Sequence, residues 1–278
     1  MVEQLEVEGG MLAYEATGEG PLVVMVPGMG TGRSAYRFLA PRIAAAGHRV
    51  VVMDLRGVGD STIGWPSYTR GDTARDIIAL IRHLGEPAVV VGNSFSGGSA
   101  TIAAAQEPDL VRAVVELGPF TREQKTDVGG LLRNAHHRKG MMLLLATSAF
   151  RSPGLWRRYL DHAHPGRKPD DFAAWLDEVV RDMSRPGRMA ALSTMGMAPL
   201  TEPAAHLGRL NRPALVVMGT HDPDWSDPRA EAHGIVAGMP DGIGQVVMIE
   251  GAGHYPQAQY PDEVADAILT FLKERVHG

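Results

Sequence analysis

The sequence predicts an α/β protein: a mainly parallel, twisted sheet with helices on both faces and an inserted helical cap. Three observations lead there. Short runs rich in Val and Met alternate with longer segments whose apolar residues recur at helical spacing. The short runs are almost continuously apolar, as strands covered on both faces must be. The alternation stops between Phe120 and about Leu200 and then resumes. Strands separated by helices of this length need crossover connections, which build a parallel sheet.

Taken in order, Gln4–Glu8 and Met11–Ala16 flank Gly9-Gly10 and read as a hairpin. Leu22–Val26, Val50–Leu55, Ala88–Val91, Arg112–Leu117, Ala214–Met218 and Gln245–Ile249 read as the remaining strands. Ser34–Ala46, Asp72–Leu84, Ser96–Gln106 and Pro261–Val276 read as helices. Pro261 suits a first helical position, where its missing N–H removes no hydrogen bond. Within the interruption, Leu131–Ser148, Gly154–His164 and Asp170–Met183 are helical pieces, and the strand–helix rhythm resumes at Pro203–Leu210. The expected organisation is a core over residues 1–119, a helical cap over 120–200, and the rest of the core over 201–278.

Composition narrows the function. The 278 residues allow a sizeable core without staples. With 27 Lys+Arg against 32 Asp+Glu, the net charge is -5, and no long basic run marks a nucleic-acid partner. The chain has no cysteine, which removes disulfides, thiolate catalysis and Cys-bound metal together. Glu3, Glu6 and Glu8 oppose a basic leader. The longest apolar runs fall short of the roughly 20 residues a spanning helix needs. The expectation is a cytoplasmic protein without a membrane partner, with homo-oligomerisation left open.

The chemistry concentrates after the strands. In Val91-Gly92-Asn93-Ser94-Phe95-Ser96-Gly97-Gly98 a β run passes through a small-x-Ser-x-small turn into an Ala-rich helix. A nucleophile needs such a turn, because small neighbours let the backbone bend and expose the hydroxyl. The alternative is a Gly/Ser-rich connection that cradles a phosphate. Ser94 follows the strand directly, whereas Ser96 already falls in the helix, so Ser94 is the expected nucleophile. A hydroxyl also needs a base and a group to orient that base. Gly219-Thr220-His221-Asp222-Pro223-Asp224 follows one strand, and Glu250-Gly251-Ala252-Gly253-His254-Tyr255 the next. Taken singly, Asp222 or Asp224 is a turn starter, and with eleven histidines one falls near some strand end by chance. The joint order Ser94, Asp222, His254, each after its own strand, carries the assignment. Glu116 is a weaker substitute acid. Pro27-Gly28-Met29 follows the first long strand, so the N–H groups of Met29 and Phe95 are the expected oxyanion donors.

These residues resemble the α/β-hydrolase superfamily, in its lidded, esterase-like serine branch. The likeness rests on the Ser94 elbow, Gly219-x-x-Asp222-Pro223, Gly251-x-Gly253-His254, and Asp54-x-Arg56-Gly57-x-Gly59-x-Ser61. It covers essentially the whole chain and implies an α/β-hydrolase fold whose lid is the interruption. Two positions depart from the pattern: Pro27 stands where His is usual, and Ser96 where Gly is commoner. A Ser at the elbow, where epoxide hydrolases and dehalogenases carry a carboxylate, implies acyl chemistry on esters, thioesters or lactones. Gly92-Asn93-Ser94 is also similar to the elbow of C–C bond hydrolases acting on ring-cleavage products, which pair it with a lid Arg for a substrate carboxylate. A hydrolase-fold ligand receptor with slow turnover is a further alternative.

Met141, Met142, Met183, Met189, Met195 and Met197 gather in the cap with Phe150, Trp156, Phe172 and Trp175. Such adaptable side chains suit an apolar pocket, or simply the lid's own core. Gly28, Met141, Met142, Trp156 and Tyr255 are the pocket candidates for a small, apolar acyl substrate. His136-His137 and His162-x-His164 lack the spacing of a metal shell and read as solvated lid residues. Arg151, Arg157, Arg158, Arg167 and Lys168 make the cap locally basic. No metal or organic cofactor is implied.

Overall fold

The computed structural model describes residues 1–123 and 127–276; residues 124–126, inside the expected cap, and 277–278 lie outside the described residues. Eight strands form one sheet in the order β1-β2-β4-β3-β5-β6-β7-β8. They are β1 (Val2–Val7), β2 (Gly10–Thr17), β3 (Leu22–Val26), β4 (Arg49–Met53), β5 (Ala88–Asn93), β6 (Val111–Leu117), β7 (Ala214–Gly219) and β8 (Gly244–Ile249). The first two pair antiparallel and β2 meets β4 antiparallel, while every later pairing is parallel. The hairpin expected around Gly9-Gly10 is present.

Alternation along the strands divides the core in two. Val24, Val26, Val51, Met53, Val90, Val114 and Val216 face one side, under α2 (Arg70–Leu84), α3 (Phe95–Gln106) and, farther along the chain, α10 (Pro228–Ala237). Val23, Met25, Val50, Val52, Val89, Val91 and Val115 face the other, under α1 (Leu39–Ala45) and α12 (Pro261–Arg275). The helix expected over Ser34–Ala46 is split. A 3-10 turn occupies Arg33–Tyr36 and α1 begins at Leu39, because Pro41 has no N–H to continue a ladder backward.

Between β6 and β7 come α4 (Val128–Arg133), α5 (Ala135–Phe150), α6 (Pro153–His162), α7 (Phe172–Met183) and α8 (Arg188–Gly196), then α9 (Thr201–Leu207). The single helix expected over Leu131–Ser148 is two, because Asn134 ends α4 and caps α5, its side chain accepting from the His137 N–H at 3.0 Å. Trp156, Tyr159, Leu160, Phe172, Trp175, Leu176, Val179, Met183, Met189 and Leu192 form a third apolar cluster, which also takes in Tyr255 and Ala258 from the core. The insertion docks on the Asp54–Ser61 loop. Asp182 accepts from the Gly59 N–H at 3.0 Å, and Arg185 and Arg188 donate to the Gly59 carbonyl at 2.8 Å. No helix among the described residues is long and apolar enough to cross a membrane.

Candidate active site

Ser94 stands between β5 and α3 with φ 55° and ψ -117°, one of two non-glycine residues at positive φ among the described residues. Such a conformation costs on the order of 1–3 kcal/mol and persists where its surroundings enforce it. They do here: the Ser94 N–H donates to the Leu117 carbonyl at 2.9 Å, and the Ser94 carbonyl accepts from Gly97 and Phe120. A Cβ at Gly92 would come within 2.2 Å of the Ser96 carbonyl oxygen, so the turn needs glycine there. Asn93 fastens the elbow to both neighbours, its amide donating to the Leu117 and His254 carbonyls at 2.8 and 3.3 Å.

His254 is brought to the same place from the loop after β8. Its Nδ1 lies 2.8 Å from Asp222 Oδ2, and both residues are almost fully buried. A carboxylate accepts there, so Nδ1 keeps its proton, and it is in the neutral ring that Nε2 is the acceptor. Burial opposes the His254 cation, but the Asp222 and Asp224 carboxylates outweigh it and hold the ring up at about 9. The Phe120 ring, centred 6.0 Å from that of His254, joins the histidine to the elbow, since its own N–H bonds the Ser94 carbonyl. The Ser94 hydroxyl has no hydrogen-bond partner among the described residues.

Gly28 packs its backbone on the serine: a Cβ there would lie 3.1 Å from Ser94 Cβ. Neither the Met29 nor the Phe95 N–H has an acceptor among the described residues, which leaves both amides free beside Ser94. The insertion closes over this loop. Trp156 Nε1 donates to the Gly30 carbonyl at 3.1 Å, and a Cβ on Gly30 would meet Leu192 at 2.5 Å. Ser94 is left 4% exposed.

Of the pocket candidates, Gly28 lies against Ser94, the Tyr255 ring stands edge-on to His254 at 5.1 Å, and Trp156 reaches the site's edge through the Gly30 carbonyl. Met141 instead lines a cleft of about 510 Å³ with Asp224 and Trp225. Met142 is corrected: it is 64% exposed, on the outer face of α5. Phe150 and Met197 are also exposed, so the apolar residues of the insertion are only partly its core. Glu116 does not serve His254; it is buried under α3, accepting from Thr101 and Thr121. Of the histidines expected to be solvated, His136 and His162 are half-exposed and line a surface cleft, and two are not solvated. His137 and His164 are buried, bonded to the Pro223 and Leu160 carbonyls, and the His136 and His162 rings stand 4.1 Å apart. Helix α5 begins against the loop after β7, where His136 and His137 bond the His221 and Pro223 carbonyls.

Sequence reading passed over Asp224 as a turn residue. Its Oδ2 lies 3.4 Å from His254 Nδ1 and accepts from the Tyr159 hydroxyl of α6 at 2.7 Å. The D-x-D spacing across Pro223 was the available signal. Among the described residues, Asp222, Asp224 and His254 also form the one histidine–carboxylate group with the spacing of metal ligands.

Three similarities bear on this site. The chain is 29% identical over 281 residues to polyketide synthase ThaQ of Burkholderia thailandensis, covering 99% of the chain but spanning only 13% of that protein. It is 27% identical over 262 residues to 2-(acetamidomethylene)succinate hydrolase of Mesorhizobium japonicum, covering 92% of the chain and 89% of the relative. A thermophilic esterase from Thermogutta terrifontis superposes with a TM-score of 0.78 at 24% identity over the full length of both, a likeness of fold. The model of the alpha/beta hydrolase family matches residues 23–267, and with the sheet order and strand-end loops described above the chain belongs to that family.

Proposed function

We propose that the chain is a serine hydrolase of carboxylic esters or close acyl relatives, working on a small and largely apolar substrate. One observation carries this reading: a serine, not a carboxylate, occupies the positive-φ elbow, beside a buried His254–Asp222 pair and two free backbone amides. Ser94 Oγ attacks the carbonyl carbon as His254 Nε2 takes its proton. The tetrahedral oxyanion is received by the Met29 and Phe95 N–H groups, which act best where water is excluded. Asp222 keeps the Nδ1–H tautomer and stabilises the imidazolium. His254 then protonates the leaving alcohol, and water, activated by the same ring, releases the acid. Helices α4–α8 act as a lid, with Trp156, Leu192 and Met29 above the nucleophile as the acyl-binding surface.

C–C bond cleavage draws on Asn93, but that amide is already engaged by two backbone carbonyls. The lid arginine such a reaction asks for has no counterpart at Ser94 among the described contacts. Arg157 pairs with Asp177, Arg188 binds the Ser61 and Gly59 carbonyls, and Arg133, Arg151 and Arg158 are exposed. The test is fluorophosphonate labelling of wild type and Ser94→Ala, followed by p-nitrophenyl esters of rising chain length. Wild type is expected to label and turn over, and Ser94→Ala to lose labelling and about 10^4-fold or more in kcat. Near-wild-type turnover in Ser94→Ala overturns the reading.

A further inference from the structure

Two buried carboxylates, not one, face the Nδ1 side of His254. Asp222 Oδ2 stands at 2.8 Å and Asp224 Oδ2 at 3.4 Å, and all three side chains are at most 1% exposed. The turn through Pro223 holds both acids on the one ring, because the Asp224 N–H donates to Asp222 Oδ1 at 3.0 Å. Asp224 is held from the other side as well: the Tyr159 hydroxyl, on α6 of the insertion, donates to its Oδ2 at 2.7 Å. Its Oδ1 has no hydrogen-bond partner among the described residues. The oxygen nearest the imidazole is therefore the one the insertion grips.

Charge counting gives this arrangement a consequence. A neutral His254 would leave two carboxylates side by side with almost no water, an arrangement that takes up a proton. The proton can sit on His254, making the ring a cation between two anions, or on Asp224. Burial drives the Asp224 carboxyl up, the His254 charge opposes this and Asp222 adds to it. The Tyr159 bond favours the Asp224 anion, and with it the His254 cation. Other groups face the trio: Tyr255 from the same loop, His164 after α6, and His136 and His137 from α5. Burial keeps Tyr159, Tyr255 and His164 uncharged at neutral pH.

We propose that Asp224 is a positioning residue for His254: it shares the Nδ1 face with Asp222, favours the charged ring, and through Tyr159 ties the strength of the base to the seat of the insertion. The inference rests on reading His254 as the general base. An Asp224 that merely shaped the turn would bear on stability and leave the titration of His254 where it is.

The experiment is an NMR titration of the His254 ring, assigned by its loss in His254→Ala, in wild type, Asp224→Asn, Asp222→Asn and Tyr159→Phe. It is paired with the pH dependence of kcat/KM on a p-nitrophenyl ester. Asp224→Asn removes an anion from the ring, so His254 is expected to titrate about 1 pH unit lower or more. The acid limb of kcat/KM moves down with it. Tyr159→Phe makes Asp224 the easier proton acceptor, and shifts both in the same direction by less. It is also the variant to rely on should Asp224→Asn fold poorly. A wild-type ring titration in Asp224→Asn or, where that variant is unfolded, in Tyr159→Phe overturns the proposal. So does a result in which Asp224→Asn abolishes labelling while Asp222→Asn retains it, since Asp224 would then be the orienting acid itself. If wild type turns over no ester, the reading of the reaction falls, and the ring titration still decides the role of Asp224.

Discussion

Pro27 and Ser96, the two residues that depart from the commoner pattern of the family, are bonded to each other. Ser96 Oγ donates to the Pro27 carbonyl at 2.6 Å, with no part of Ser96 exposed. The serine thus pins the loop that carries Met29 to the helix that carries Phe95, and so fixes the spacing of the two free amides. Glycine at 96 has no atom for this. Ser96→Ala leaves a buried carbonyl without a donor, which costs on the order of 1–3 kcal/mol. Urea denaturation should show that loss. Ester kinetics should show kcat falling more than KM rises, since in the proposed reaction the two amides act on the transition state. Unchanged stability and kcat would mean that the bond holds nothing in place. At this scale Ser94, Asp222 and His254 were legible because each follows its own β run in a recognisable order. Asp224 was not, since nothing in an Asp-Pro-Asp turn says which carboxylate faces inward. The Ser96–Pro27 bond was hidden for a similar reason: its partners lie 69 positions apart.

Elements were legible in proportion to how uniformly they are buried. Strand β3 begins and ends where its apolar run does, because all five of its residues are buried and Pro27 follows. Helix α10 went unread although Asp227 caps it and Pro228 opens it, since Ala and Gly along its length blur the apolar face. Helix α11 (Pro256–Gln259) is a single turn, too short for any periodicity. Strand β6 carries a residue whose role only its surroundings disclose. Glu116 is fully buried between α3 and the segment after β6, and burial pushes its carboxyl from 4.5 up to about 7 against two threonine hydroxyls. An acid raised in the folded state favours folding most fully below its unfolded value. That advantage is lost as pH rises through the folded one. Stability should therefore fall between about pH 4.5 and 7 on account of Glu116. Glu116→Gln should flatten this dependence, gaining stability relative to wild type at pH 8 and not at pH 4. Thermal melts of both proteins across that range check it, and parallel curves would remove Glu116 from the explanation.

At the scale of the whole molecule, the walls of four surface clefts, of about 690, 800, 510 and 230 Å³, include neither Ser94 nor His254, although Asp222 or Asp224 lines two of them. With Ser94 only 4% exposed, the proposed acyl substrate is expected to reach it when the insertion shifts. The ties that hold the insertion down differ in kind. Trp156 to Gly30, His137 to Pro223 and Arg188 to Ser61 are buried, whereas Arg37 grips Asp171 through two bonds of 2.6 Å at the surface. The Arg37 guanidinium also lies over the Trp175 ring of α7 at 5.1 Å. The surface pair contributes at most about 1 kcal/mol and is screened by salt. It is thus the tie to release without unfolding the site. Arg37→Ala is expected to speed fluorophosphonate labelling of Ser94 several-fold, more for a bulky probe than a small one. The melting temperature should change little, and wild type in high salt should move the same way. Equal labelling rates in wild type and Arg37→Ala with both probes would show that the substrate reaches the serine with the insertion in place. The route would then run along the 510 Å³ cleft beside Asp224 and Trp225, where Met141 already stands.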